Sequence, residues 1–201
     1  MTERPSDIAT LQACASVGQS ALTEAYAEVL RERGVSCGQV LLTRRDVVDR
    51  EGYLNARNTI TRLLELGCVP VVNENDTVAT DEIVIGDNDT LSAAVAATIS
   101  ADLLVLLSDI DGLYDCDPRR HADAHLISVV ERVDDDLYTL AEDSSTGLGT
   151  GGMVTKLRAA AIATAAGCEM VIANGSKPEV LYDIAEGRPV GTRFLTGRAV
   201  I

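Results

Sequence analysis

Apolar residues recur along this chain in two rhythms, and the two rhythms alternate. Between residues 7 and 33, Ile8, Leu11, Ala15, Leu22, Tyr26 and Leu30 return at spacings of three, four or seven, which predicts a helix. Gly18 could divide that stretch, and Gly34 is a suitable stop. Val40, Leu41 and Leu42 make a short continuous apolar run, the mark of a buried strand. Helical spacing resumes over residues 52–66, where Leu54, Ile60, Leu63 and Leu64 are expected to face inward and Gly67 to end the helix. Residues 69–72 read as a strand, 78–85 as a β-hairpin, 89–99 as a helix and 103–107 as the clearest buried strand. Beyond a polar loop, 126–130 reads as a strand and 135–141 as a short helix. A helix at 154–166, a strand at 170–173, a helix at 178–186 and a last strand at 192–195 complete the pattern.

Short apolar strands separated by helices predict a mainly parallel open sheet covered on both faces. The expected fold is a three-layer α/β/α sandwich, in a single domain over residues 1–201 without repeats or linkers. In such folds ligands bind beyond the carboxyl ends of the strands. That rule selects the loops at 73–76, 108–119 and 150–156.

Composition narrows the partners. The chain has 201 residues and a net charge of −14, with 46% hydrophobic and 3% aromatic residues. A basic patch suited to a phosphate backbone is missing, so no nucleic acid is expected. No apolar run approaches the 18 or so residues of a membrane span, and the opening MTERPSDIAT is unlike a signal peptide. No membrane partner and a cytoplasmic location are expected. Cys14, Cys37, Cys68, Cys116 and Cys168 are odd in number and form no CxxC pair, so they read as small apolar fillers rather than metal ligands. His121 and His125 lie four apart in a polar stretch with no third ligand, and read as surface residues. No metal site is assigned to protein side chains.

Four loops could carry chemistry. In VVNENDTVAT, residues Asn73, Glu74, Asn75 and Asp76 gather hydrogen-bonding groups at a strand tip, able to hold a zwitterionic amino acid or simply to make a turn. In IGDNDTLSAA, Asn88 could touch a substrate, and Asp89 could orient a cation or cap the helix. The loop after the strand at 103–107 begins with Ser108 and Asp109, where a nucleotide could be cradled. Its DxDG core lacks the spacing of a calcium loop. In TGLGTGGMVTKLRAA, glycines precede a helix whose first turn holds Thr155 and Lys156. Backbone N–H groups and the helix dipole attract phosphate at such a place. The run is not a Walker A sequence, because no glycine directly precedes the lysine. Lysine is otherwise almost avoided: fifteen cations are Arg, and only Lys156 and Lys177 are Lys. A lysine in a first turn is ordinarily a solvated side chain; its rarity in this chain makes it notable, and a compact point charge of this kind would suit a phosphoryl group.

Taken together, LLTRRDV, NENDTVAT, GDNDTLSA, LLSDIDGLYDCDPR, GLGTGGMVTKLRAA and NGSKPEVL resemble, in order from about residue 9 to residue 194, the glutamate 5-kinases of the amino-acid kinase family. The resemblance implies the amino-acid kinase fold and transfer of the γ-phosphoryl of ATP to the side-chain carboxylate of L-glutamate, with Mg²⁺ required. It places Asp76 and Asn88 on glutamate, and it makes Asp89 the carboxylate that organises catalytic lysines. It places Ser108, Asp109 and the run Thr150, Gly151, Gly152, Met153, Val154, Thr155 and Lys156 on the nucleotide, and it gives Lys156 the stabilisation of the transferring phosphoryl group. A homo-oligomer is implied as well. The physics agrees: a carboxylate attacking in line needs no general base, so positioning and charge neutralisation carry the reaction.

The sequence also departs from that pattern. The family's opening strand with a KxGTS-like loop, its second strand with an SSGA-like loop, and its C-terminal PUA domain have no counterpart here. The kinase domain is therefore expected to be truncated at its N-terminus, and the chain alone to have little or no kinase activity. A non-catalytic remnant that binds a ligand or partner is the alternative.

Overall fold

Helix and strand alternate as the pattern requires. The structure is a computed structural model, and it describes residues 5–78, 87–143 and 152–197. The predicted hairpin lies almost wholly outside the described residues, as do Thr150 and Gly151. The chain divides into two compact units, the first ending at Asn88 and the second starting at Asp89.

The first unit opens with α1 (Ile8–Arg31). The carboxylate of Asp7 caps it by accepting from the Thr10 N–H at 2.8 Å, a bond that also holds this carboxyl below its ordinary pKa. Gly18 does not divide the helix: a glycine inside costs about 1 kcal/mol relative to alanine, too little to break 24 residues. Gly34 turns the chain out of the helix at φ +71°, as expected of it.

Next come β1 (Cys37–Leu42), α2 (Arg44–Val48), α3 (Arg50–Glu65) and β2 (Val69–Glu74). The two strands pair in parallel, with Val40 opposite Val72. Helix α2 was not foreseen. Its signal is a capping box in TRRD: Asp46 accepts from the Thr43 N–H at 2.8 Å while Thr43 caps the Asp46 N–H. Ile60 of α3 is buried as predicted, and Leu63 lies against Gly38, where an added Cβ would come within 2.7 Å of its methyl. Leu54 and Leu64, expected to face inward, are 42% and 49% exposed. Among the described residues Ile60 is the one residue of α3 that is buried, as expected where a two-stranded sheet covers only a narrow stripe of a helix.

The second unit contains α4 (Asn88–Thr98), β3 (Leu103–Ser108), β4 (Val129–Val130), α5 (Asp135–Asp143), α6 (Met153–Ala165), β5 (Glu169–Asn174), α7 (Val180–Ala185) and β6 (Thr192–Phe194). Its sheet has the order β3-β5-β6-β4. Pairings β3–β5 and β4–β6 are parallel, and β5–β6 is antiparallel. The sheets are thus mainly parallel, as the alternation predicts, and they number two among the described residues. The strand expected at 126–130 shrinks to two residues, with Leu126 instead bridging to Tyr114. Phe194, Met170, Ile172 and Leu157 are fully buried in one core with alanines of α4 and α6. Burial also raises the Cys168 thiol pKa and keeps it protonated, consistent with a filler.

Thr192 fixes the long polar loop between β3 and β4. Its buried hydroxyl donates to the Ile127 carbonyl at 2.6 Å and accepts from the Leu113 N–H at 2.8 Å. Two glycines permit that approach. A Cβ at Gly112 would lie 2.5 Å from the Thr192 hydroxyl, and one at Gly191 (φ +67°) would lie 2.0 Å from the Ile172 carbonyl oxygen. Thr192→Val keeps the shape and strands both backbone groups. It should cost about 2 kcal/mol in urea unfolding, whereas Thr192→Ser should cost less than half of that. Equal losses for the two variants would assign the effect to the methyl group instead.

Candidate functional site

The site grows from two helices of the second unit. Asp89 stands in the first turn of α4 and Lys156 in the first turn of α6. The Lys156 Nζ donates to the Asp89 Oδ2 at 2.9 Å, with the two side chains only 11% and 19% exposed. The Thr155 hydroxyl lies 3.0 Å from the same carboxylate oxygen and 2.7 Å from the Gly152 carbonyl, two acceptors for one proton. Asp89 is therefore inside α4 rather than its N-cap, and its carboxylate serves a tertiary contact 67 residues away. Helix α6 starts from Gly152, which has no side chain to cap its first turn. The N–H groups of Met153 and Val154 belong to the orphan donors of a helix start, and the helix dipole adds to their partial positive charge. A fixed ammonium beside such a turn can receive phosphate oxygens.

Ser108 and Asp109 lie at the carboxyl end of β3, in register with Asn174 at the end of β5. The Ser108 hydroxyl is 3.3 Å from Asp109, whose other oxygen accepts from Arg119 at 3.2 Å on the surface. Asn174 was missed by the sequence reading. Its side-chain amide donates to Asp111 at 2.8 Å and so ties the tip of β5 to the loop after β3. Asp111 also accepts from the Tyr114 hydroxyl at 3.2 Å. Burial, and then the negative charge of Asp111, push the Tyr114 pKa up, so this phenol remains a donor.

Asp76 and Asn88 belong to the first unit, and both are exposed. Asp76 sits in the turn after β2, where the Val78 N–H reaches the Asn75 carbonyl. Its neighbours are used structurally: Asn73 donates to Gln19 of α1 at 2.9 Å, and Asn75 accepts from Thr77. Asn88 begins α4, one residue before Asp89. The structure thus brings Asp89, Thr155 and Lys156 together, places Ser108 and Asp109 on a strand tip of the same unit, and leaves Asp76 and Asn88 open to solvent. A separate groove of about 590 Å³ is lined by Val129, Val130, Leu137 and neighbours of β4 and α5, and contains none of the candidate residues. Asp115 and His125 pair across the polar loop on the surface, consistent with a structural histidine. Among the described residues no group of three His, Cys, Asp or Glu side chains could hold a metal ion, and no helix is long and apolar enough to cross a membrane.

Comparison with known proteins gives this geometry its setting. Residues 1–174 match the model of the amino acid kinase family. The chain is 50% identical over 194 residues to the glutamate 5-kinase of Clostridium tetani, covering 96% of this chain and 73% of that protein. It is 54% identical over 192 residues to the glutamate 5-kinase of Serratia marcescens, covering 96% of this chain but 52% of that protein. The chain therefore spans about half to three quarters of the length of these relatives. Among solved structures, carbamate kinase from Giardia lamblia bound to AMP-PNP superposes with a TM-score of 0.64 over 98% of this chain and 74% of that one, at 18% identity. UMP kinase from Ureaplasma parvum gives a TM-score of 0.64 over 94% and 72%, at 15% identity. Such likeness shows a common fold. The chain belongs to the amino acid kinase family, and within it to the glutamate 5-kinase group.

Proposed function

We propose that this chain contributes the phosphoryl-transfer machinery of a glutamate 5-kinase, which moves the γ-phosphoryl group of ATP to the side-chain carboxylate of L-glutamate, the opening step toward proline. The observation that carries the reading is the Lys156–Asp89–Thr155 cluster at the start of α6, in a chain half identical to kinases of that name. Lys156 neutralises charge developing on the transferring group, and Asp89 holds the ammonium in place so that little reorganisation is needed. Met153, Val154 and the rest of the run from Thr150 to Lys156 hold nucleotide phosphates, with Ser108 and Asp109 on the nucleoside side. Asp76 and Asn88 take the glutamate, the carboxylate facing its ammonium group. Mg²⁺ would arrive on ATP, since such ions are held largely by substrate phosphates and water with one or two carboxylates. We place the chain in one kinase domain and its work in the cytoplasm, as a homo-oligomer.

Two measurements test the proposal. The first is glutamyl hydroxamate formation from glutamate, ATP and hydroxylamine. Hydroxamate formation that requires both ATP and glutamate is expected of the protein that carries this sequence. A protein that binds ATP yet makes no hydroxamate would favour the non-catalytic reading. The second is Lys156→Ala in the active form. It should lower kcat by roughly 100-fold or more, with a smaller change in KM for ATP. An unchanged kcat would remove Lys156 from the catalytic residues. Because the variant also leaves Asp89 unpaired in a poorly solvated place, a stability loss of about 3 kcal/mol is expected beside the kinetic one.

A further inference from the structure

A buried ammonium can be held by charge and still be badly aimed. Lysine carries its charge on a flexible four-carbon stem, and a carboxylate swings about its own side-chain bonds. The contact of 2.9 Å between Lys156 and Asp89 fixes their separation and leaves their direction open. A second donor on the same oxygen narrows this freedom. The Thr155 hydroxyl meets Asp89 Oδ2 at 3.0 Å, beside the ammonium, so two donors from one turn of α6 converge on a single acceptor 66 residues before Thr155.

Thr155 suits that task because its own geometry is set by α6. A threonine in a helix has few χ1 choices, and one is selected where its hydroxyl lies against a carbonyl one turn back. Here that carbonyl is Gly152, 2.7 Å away. The same carbonyl already accepts from the Thr155 N–H at 3.1 Å, so it does not need the hydroxyl proton. Asp89 Oδ2 is charged and makes the stronger acceptor. Neither donor of Thr155 is then left for a nucleotide, since the N–H serves the first turn of α6 and the hydroxyl serves Asp89. We infer that Thr155 is a positioning residue: its hydroxyl holds Asp89, and through it aims the Lys156 ammonium, without a side-chain contact to the phosphates. The inference rests on the kinase reading for its kinetic consequence alone; the aim of Lys156 is a property of the protein by itself.

The scarcity of lysine makes this measurable. Lys156 and Lys177 are the two lysines of the chain, and Lys177 is exposed. Isotope labelling of lysine nitrogen therefore gives two ammonium signals in magnetic resonance, which Lys177→Arg assigns. The Lys156 ammonium should exchange its protons with water more slowly than that of Lys177. Thr155→Val, which puts a methyl where the hydroxyl was, should speed the Lys156 exchange by about tenfold, on the order of what one hydrogen bond to a charged group is worth. Thr155→Ala, a better helix former, should match it, and Thr155→Ser should restore the slow rate. In hydroxamate formation, Thr155→Val should lower kcat by about tenfold and leave KM for ATP within about twofold, with most of the loss regained in Thr155→Ser. A Lys156 exchange rate that valine and alanine both leave unchanged would overturn the inference. So would a raised KM for ATP at constant kcat, the mark of a nucleotide contact. A protein carrying this sequence that makes no hydroxamate would end the kinase reading, and the exchange rates alone would then decide the role of Thr155.

Discussion

Burying the ammonium of Lys156 constrains everything around it. An ion removed from water costs several kcal/mol, and only a well-placed opposite charge offsets this. Asp89 supplies that charge at 2.9 Å, so α4 and α6 must start side by side. Their composition makes this feasible. Ala93 and Ala96 of α4 and Ala159, Ala160 and Ala163 of α6 belong to one buried cluster with Leu106, Met170 and Ile172 of the strands. Alanine loses no side-chain entropy on burial and keeps helix axes near their neighbours. Such helices gain little from each residue's area, but they set the spacing at which a lysine and an aspartate can meet.

A second constraint acts on the loop between β3 and β4. It is rich in aspartate, and without anchors it would spread away from the sheet by charge repulsion. Thr192 clamps it at Leu113 and Ile127, Asn174 holds Asp111, and Asp115 accepts from the His125 N–H at 2.8 Å. That last bond is the main reason the Asp115 carboxyl lies below its ordinary pKa. These anchors lie next to the strand tips where Ser108 and Asp109 emerge, so the loop's rigidity and the position of those two residues have one origin.

Much of this was legible because apolar period reports burial directly. The strand at 103–107 and the helix at 154–166 came out within a residue or two of β3 and α6. Leu54 and Leu64 read wrongly for a related reason: period shows that a helix has a face, and the width of sheet available decides how much of it is covered. Helix α1 makes the same point more strongly, since its apolar period was plain and yet none of its residues is buried. Contacts between distant residues were out of reach. Nothing in the spacing of Asp89 and Lys156 announces a bond across 67 residues, and only the scarcity of lysine marked one of the partners. Thr192 left no signal, because a β-branched residue in a strand needs no further reason. Asn174 had one that went unused: it is a polar residue at the carboxyl end of a buried strand.

On the proposed reading, the acidity of the chain and the acidity of a nucleotide substrate are compatible only through locality. A net charge of −14 repels ATP at long range, and the many arginines do not reverse this. Arg62 pairs with Glu65, and Arg119 with Asp109, at positions more than half exposed, where water and salt reduce such pairs to a fraction of a kcal/mol. Lys156 differs in its surroundings rather than its charge. It is shielded from solvent, and its position is fixed before substrate arrives. A field inside a poorly solvated site falls off less steeply than one on the surface. Part of its charge is answered by Asp89, yet in the proposed reaction a phosphoryl group in flight would add negative charge beside the ammonium, and the response would need no movement of the protein. A pre-set partial charge of this kind discriminates the transition state from the ground state better than a free surface cation, which would hold ATP in both alike.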